Sequence, residues 1–108
     1  MNIRPITTQT PQTLKLSKLP KLYKMSNQQL FQLALVVRDY DEALSFYVGK
    51  LGFTLIEDTV MSETKRWVVV SPGQNSCRLL LAKAANEHQL SRVGDQTGGR
   101  VFLFMHTD

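Results

Sequence analysis

Residues 34–53 read ALVVRDYDEALSFYVGKLGF, and the pattern of this stretch decides the fold. It begins inside a strongly apolar run, Leu30 to Val37 (LFQLALVV), in which Gln32 is the one polar residue. A run of that length, β-branched toward its end, predicts a buried strand. Asp39 follows, with Glu42 three residues on, and the pair predicts a helix N-cap with a capping-box partner. From Tyr40 onward Ala43, Leu44 and Tyr47 recur at helical spacing, with Phe46 flanking the stripe. Gly49 and Gly52 end the helix. Phe53 to Asp58 predicts a second strand.

Working outward, RWVVVS (Arg66 to Ser71) predicts a third strand. Pro72-Gly73-Gln74-Asn75 is a turn cluster, and CRLLLA (Cys77 to Ala82) predicts a fourth strand. Ala84 to Val93 is a polar connection with room for a helical turn. After Gly98-Gly99, RVFLFMH (Arg100 to His106) predicts a fifth strand. The order β-α-β-β-β, a loop and a further β is that of an α+β fold. Strand alternation puts Trp67, Val69 and Ser71 on one face and Arg66, Val68 and Val70 on the other. It also groups Arg100, Phe102, Phe104 and His106.

The chain has 108 residues, enough for one small domain. Its 43% hydrophobic and 20% charged residues are an ordinary globular balance. No apolar run approaches the ~20 residues of a membrane span. A lone cysteine, Cys77, excludes an internal disulfide and points to a reducing, cytoplasmic setting. The net charge of +4 belongs to one end. Residues 1–24 hold Arg4, Lys15, Lys18, Lys21 and Lys24 without an acid, and Pro5, Pro11 and Pro20 interrupt them. They read as a flexible basic extension, with a targeting segment or a basic arm as other readings. Residues 25–108, the organised domain, carry eight basic and nine acidic side chains, which is no footprint for nucleic acid.

Three features of Ala34 to Phe53 resemble the opening of the vicinal-oxygen-chelate superfamily: the Asp39 cap, Phe46-Tyr47 in the helix, and Leu51-Gly52-Phe53 after it. That group includes glyoxalases, bleomycin and fosfomycin resistance proteins and extradiol dioxygenases. RWVVVSP and GGRVFLFMHTD downstream are similar as well, so the likeness runs from Leu30 to Asp108. It implies βαβββ modules packed in pairs, each half-enclosing a cavity. This sequence then holds one complete module and the first strand of a second, which is incomplete at the C-terminus.

The resemblance also implies a divalent-ion site: a His or Gln on the first strand, a Glu late in the fourth, a His opening the fifth and a Glu in the last. Gln32 matches the first position, either as an amide ligand or as a polar strand residue satisfied by its neighbours. No Asp or Glu occurs between Glu63 and Glu87, and Gln96 to Met105 contain no His, Asp, Glu or Cys. The last position lies past Asp108. One amide is short of the roughly three protein ligands a catalytic site needs, so no metal and no cofactor are expected.

The expected function is metal-independent binding of an unidentified small molecule, in a cavity formed between modules or between chains. A lyase or dioxygenase completed by residues outside this chain is the alternative, and a structural remnant without ligand is a third. The candidate ligand-binding residues are Gln32, Trp67, Phe102, Phe104 and His106. Trp67 offers a ring for stacking flat molecules, and His106 a donor or acid/base group. His88 reads as a solvated loop residue, and Cys77 as a small strand residue beside the Arg78 cation. Gly94 to Gly99 lacks the Lys-Ser/Thr of a phosphate loop. The expected fifth strand is apolar on both faces, which predicts a homodimer through the incomplete module.

Overall fold

The computed structural model describes residues 27–108; the expected basic extension, residues 1–24, lies outside them. β1 is Gln32–Val37, followed by α1 at Tyr40–Leu44, which runs on into a π-helical turn at Ser45–Lys50. β2 (Thr54–Val60), β3 (Arg66–Ser71), β4 (Arg78–Lys83) and a short α2 (Glu87–Ser91) complete the set.

Asp39 starts α1 as expected: its backbone is extended and its Oδ2 accepts from the Glu42 N–H at 2.9 Å. The reciprocal half of the capping box differs. Glu42 turns its carboxylate to Arg38, whose Nη2 donates at 2.9 Å, so an (i, i+4) ion pair takes the place of the bond back to the cap. The widened turn that follows is bonded from Leu51 N–H to Phe46 C=O at 3.0 Å. It sets Tyr47 inward, 5.6 Å from the Phe53 ring, and leaves Phe46 edge-on to Tyr47 and exposed. Gly52 then takes φ +77°, a conformation that suits glycine, and so reverses the chain into β2.

The four strands form one sheet in the order β1-β4-β3-β2. β1 and β4 are parallel, with Gln32 beside Arg78 and Val37 beside Lys83, while β3 runs antiparallel to both β4 and β2. A bulge between Leu55 and Glu57 interrupts β2, the exposed edge strand. One face of the sheet takes α1. There Val37, Val68, Val70, Leu79 and Leu81 are buried with Tyr40, Ala43 and Phe53, and Leu33, Leu35, Leu44, Tyr47 and Val48 pack around them.

A polar clasp closes this face at its rim. The Arg66 guanidinium meets Asp58 through two bonds, at 3.1 and 2.7 Å, and Asp41 through one at 3.0 Å. It lies 5.1 Å from the centre of the Tyr40 ring, while the Arg66 N–H donates to the Tyr40 hydroxyl. Four side chains thus tie α1 to β2 and β3.

The fifth strand expected over Arg100 to His106 does not form: Val101–Asp108 carries no strand pairing. Phe102 and Leu103 lie beside β1, and the outer edge of that strand is already engaged at Ala34 and Val36. The Gln96 amide lies along it, Oε1 accepting from the Val36 N–H at 2.8 Å and Nε2 donating to the Ala34 C=O at 2.9 Å. One side chain thereby reproduces the ladder bonds a neighbouring strand would make.

Candidate functional site

The alternation that sends Val68, Val70, Leu79 and Leu81 toward α1 sends their neighbours to the opposite, open face. The register arranges that face in rows across the strands. Gln32 and Arg78 are paired, Ser71 lies beside Arg78 one step past the Val70–Leu79 pair, and Thr54 faces Ser71. The next row holds Ala34, Leu80, Val69 and Glu57. Beyond it come Val36, Ala82, Trp67 and Thr59. The face therefore grades from a polar row through an apolar one to a row centred on the indole.

Trp67 is half-buried and lines a groove of about 640 Å³ with Leu80, Ala82 and Gln89, which Tyr40, Lys65, Arg66 and Lys83 also line. α2 forms one wall because Asn86 caps it, accepting from the Gln89 N–H at 2.8 Å. Gln89 in turn accepts from the Ala85 N–H at 2.7 Å, which holds the wall in place. At the polar end a second groove, of about 610 Å³, is lined by Phe31, Thr54, Ser71, Asn75, Ser76 and Arg78 among others. Ser71 is buried, and its hydroxyl donates to the Gly73 C=O at 2.6 Å. Asn75 shapes the turn above it with φ +61°.

The structure thus places Gln32 and Trp67 on one face, at its two ends. It does not bring the other candidates to them. Phe102 lies on the helix side of the β1 edge, in a small cleft with Leu35, Tyr47 and Gln96. Phe104 is 90% exposed, and His106 is exposed beyond any strand, so the shared face expected for Phe102, Phe104 and His106 is not built. His88 is exposed on α2 and Cys77 half-buried beside Arg78. Sequence reasoning passed over Arg78 as a site residue. The signal was present, since a pairing of Cys77–Ala82 with Leu30–Val37 brings Arg78 to Gln32. The Gln96 bridge left no comparable signal, because its partners are main-chain atoms sixty residues away.

The donor set on the open face does not fit the divalent site that the resemblance implies. Gln32 has a guanidinium, not a carboxylate, for its β4 neighbour. Glu57 is the sheet's single carboxylate on this face; it sits three strands from β1, roughly 14 Å at 4.8 Å per strand, and accepts from Thr59 Oγ1. Among the described residues no three of His, Cys, Asp and Glu gather closely enough to hold a metal ion. Around the clasp, hydrogen bonding to Arg66 holds the Asp58 carboxyl below its usual range, and burial pushes the Tyr47 phenol up. Neither group lies on the open face. No helix among the described residues is long and apolar enough to cross a membrane.

Comparison with known proteins agrees with this architecture. An uncharacterized protein of Shewanella frigidimarina (strain NCIMB 400) is 59% identical over 83 residues, covering 75% of this chain and 62% of its own length. Among solved structures, UcmS2 is similar at 28% identity and a TM-score of 0.52, over 61% of this chain and 53% of that one. TnmS3, an antibiotic binding protein from Streptomyces sp. CB03234, is 29% identical with a TM-score of 0.48, over 55% of this chain and 48% of that one. The chain spans between about half and two thirds of the length of these proteins. The family model described as Glyoxalase/Bleomycin resistance protein/Dioxygenase superfamily matches residues 29–107. With its β1-α1-β2-β3-β4 module, the chain belongs to that superfamily.

Proposed function

We infer that this domain binds a small organic molecule against the open face of its sheet, with no metal ion among the contacts. The observation that carries the reading is the Trp67 groove: a half-buried indole, aliphatic Leu80 and Ala82, and a wall braced by Gln89, with Lys65 and Lys83 also on its lining. Such a lining favours a flat apolar group by stacking and area burial. The guanidinium beside Gln32 argues against a cation there. The proposed setting is the cytoplasm, where a lone thiol such as Cys77 stays reduced. A second copy of the chain is proposed to cover the exposed apolar residues around Phe104.

The test uses the indole itself, since Trp67 is the chain's one tryptophan. Titration with neutral biphenyl-4-carboxamide should quench its fluorescence, equally before and after treatment with a chelator. Trp67→Ala should abolish uptake in calorimetry while the circular dichroism spectrum is kept. A divalent ion retained at one per chain and lost in Gln32→Ala would overturn the metal-free reading. It would favour instead a lyase or dioxygenase whose site is completed outside this chain. That second reading draws on one observation, Gln32 standing on the open face at the position where the superfamily resemblance expects a ligand.

A further inference from the structure

We propose that the polar end of the open face is an oxyanion subsite built on Arg78, so that the ligand is an elongated molecule with a planar apolar body and a carboxylate or phosphate head. The inference rests on the small-molecule reading above and adds the chemical class of the ligand.

Among the described residues two arginines, Arg78 and Arg100, hold no carboxylate, and of these Arg78 is the one on the sheet. Arg38, Arg66 and Arg92 each hold a carboxylate, from Glu42, from Asp58 and Asp41, and from Asp95. Among the described residues no carboxylate is within ion-pair distance of Arg78, and residues 1–26 contain no Asp or Glu that could supply one. The chain itself therefore leaves this charge unmatched. The surroundings of the guanidinium suit an oxyanion. Gln32 flanks it on β1, while Ser71 and Thr54 continue the row on β3 and β2. The Gly73–Cys77 turn, with the Asn75 and Ser76 side chains, walls the 610 Å³ groove in which Arg78 lies. The nearest acid on this face, Glu57, belongs to the next row, two strands away from β4, and is engaged by Thr59. The Ser71 hydroxyl already donates to the Gly73 C=O, so the donors left beside the guanidinium are the Gln32 amide and the Thr54 hydroxyl. A planar guanidinium with such neighbours is a recurring way to hold a carboxylate or phosphate.

The spacing fixes the shape of the ligand. Trp67 stands opposite Ala82 on the extended β3–β4 register, and Ala82 is four residues along β4 from Arg78, roughly 13 Å at 3.3 Å per residue. Leu80, half-buried, lies in the interval and offers it apolar surface, while its β3 partner Val69 is buried. A molecule whose rings rest on Trp67 and Leu80 needs a length of roughly 13 Å along β4 to bring a head group to the groove that Arg78 lines.

Three probes sharing one ring system test the proposal by Trp67 quenching: biphenyl-4-carboxylate, biphenyl-4-yl phosphate and neutral biphenyl-4-carboxamide. The anionic probes should bind at least tenfold more tightly than the carboxamide, and added salt should weaken them alone. Preference for one head over the other identifies which oxyanion the subsite favours. Arg78→Gln should remove the tenfold advantage and leave the carboxamide affinity unchanged; Arg78→Lys should retain part of it, which controls for a folding defect. Equal affinities for all three probes, or an advantage that survives Arg78→Gln, would overturn the oxyanion subsite while leaving the aromatic groove standing. No quenching by any probe would overturn the small-molecule reading itself, and the subsite with it.

Discussion

Arg66 shows how one residue is read correctly for its face and incorrectly for its work. Alternation put it opposite Trp67, and it lies there, but its position gave no hint that it would hold Asp58, Asp41 and the Tyr40 ring together. Those partners come from three separate elements, and only the fold makes them neighbours. Hydrogen bonding to Arg66 lowers the Asp58 pKa in the folded state. The sign of the consequence follows by linkage. A depressed folded pKa adds stability above the ordinary carboxylate value of about 3.9, and that contribution disappears as the pH falls toward the folded value. Stability measured by urea unfolding should therefore fall on acidification through that window. Asp58→Asn should be less stable than the parent at neutral pH, and the gap should close as the medium is acidified. A gap that stays constant across the titration would show that Asp58 contributes by packing and not by charge.

At the scale of elements, the strands and helices that carry their own local signals were legible. Arg66–Ser71 forms as read, α1 starts at its Asp39 cap, and the shifts at β1, β2 and β4 are of one or two residues at either end. These elements carry their own apolar pattern, caps and turns, so local chemistry sets them. The failure at Arg100–His106 has a different cause. RVFLFMH has strand propensity, but propensity does not supply an edge, and Gln96 already covers the edge of β1. Phe102, Phe104 and His106 were grouped by an alternation that needed that strand, so their shared face is not built. The bridge is itself testable. Gln96→Ala should cost about 1–2 kcal/mol, the usual net worth of two neutral hydrogen bonds, and should speed hydrogen exchange at the Val36 amide. Gln96→Glu should lose as much, because a carboxylate still accepts from Val36 but faces the Ala34 carbonyl without a donor. Restoration of full stability by Glu would mean that the Ala34 bond contributes nothing.

Among the described residues, the 101–105 segment presents an apolar surface in need of cover. Val101, Phe104 and Met105 are 67%, 90% and 56% exposed among the described residues. Their backbone carries no strand pairing, so the segment offers both apolar area and free main-chain donors and acceptors. Such a combination drives association. The edge of β1 is not the place for it, because Gln96 holds those atoms; the contact is instead expected to run through the 101–105 segment itself. A second copy is the simplest occupant, since a twofold axis lets each segment cover its counterpart. It would also bring a second open face into the assembly, with Trp67 and Arg78 from each chain available to a bound molecule. Sedimentation velocity across a dilution series should show a dimer that dissociates only at low concentration. The double substitution Phe102→Asp and Phe104→Asp should yield a monomer with the circular dichroism of the parent, because the sheet and α1 bury neither ring in their core. A compact, cooperatively unfolding monomer of the parent chain at micromolar concentration would refute the dimer. A dimer that survives the double substitution would move the interface to another surface, with the exposed β2 edge the next to test by a charge at Val60, itself 73% exposed.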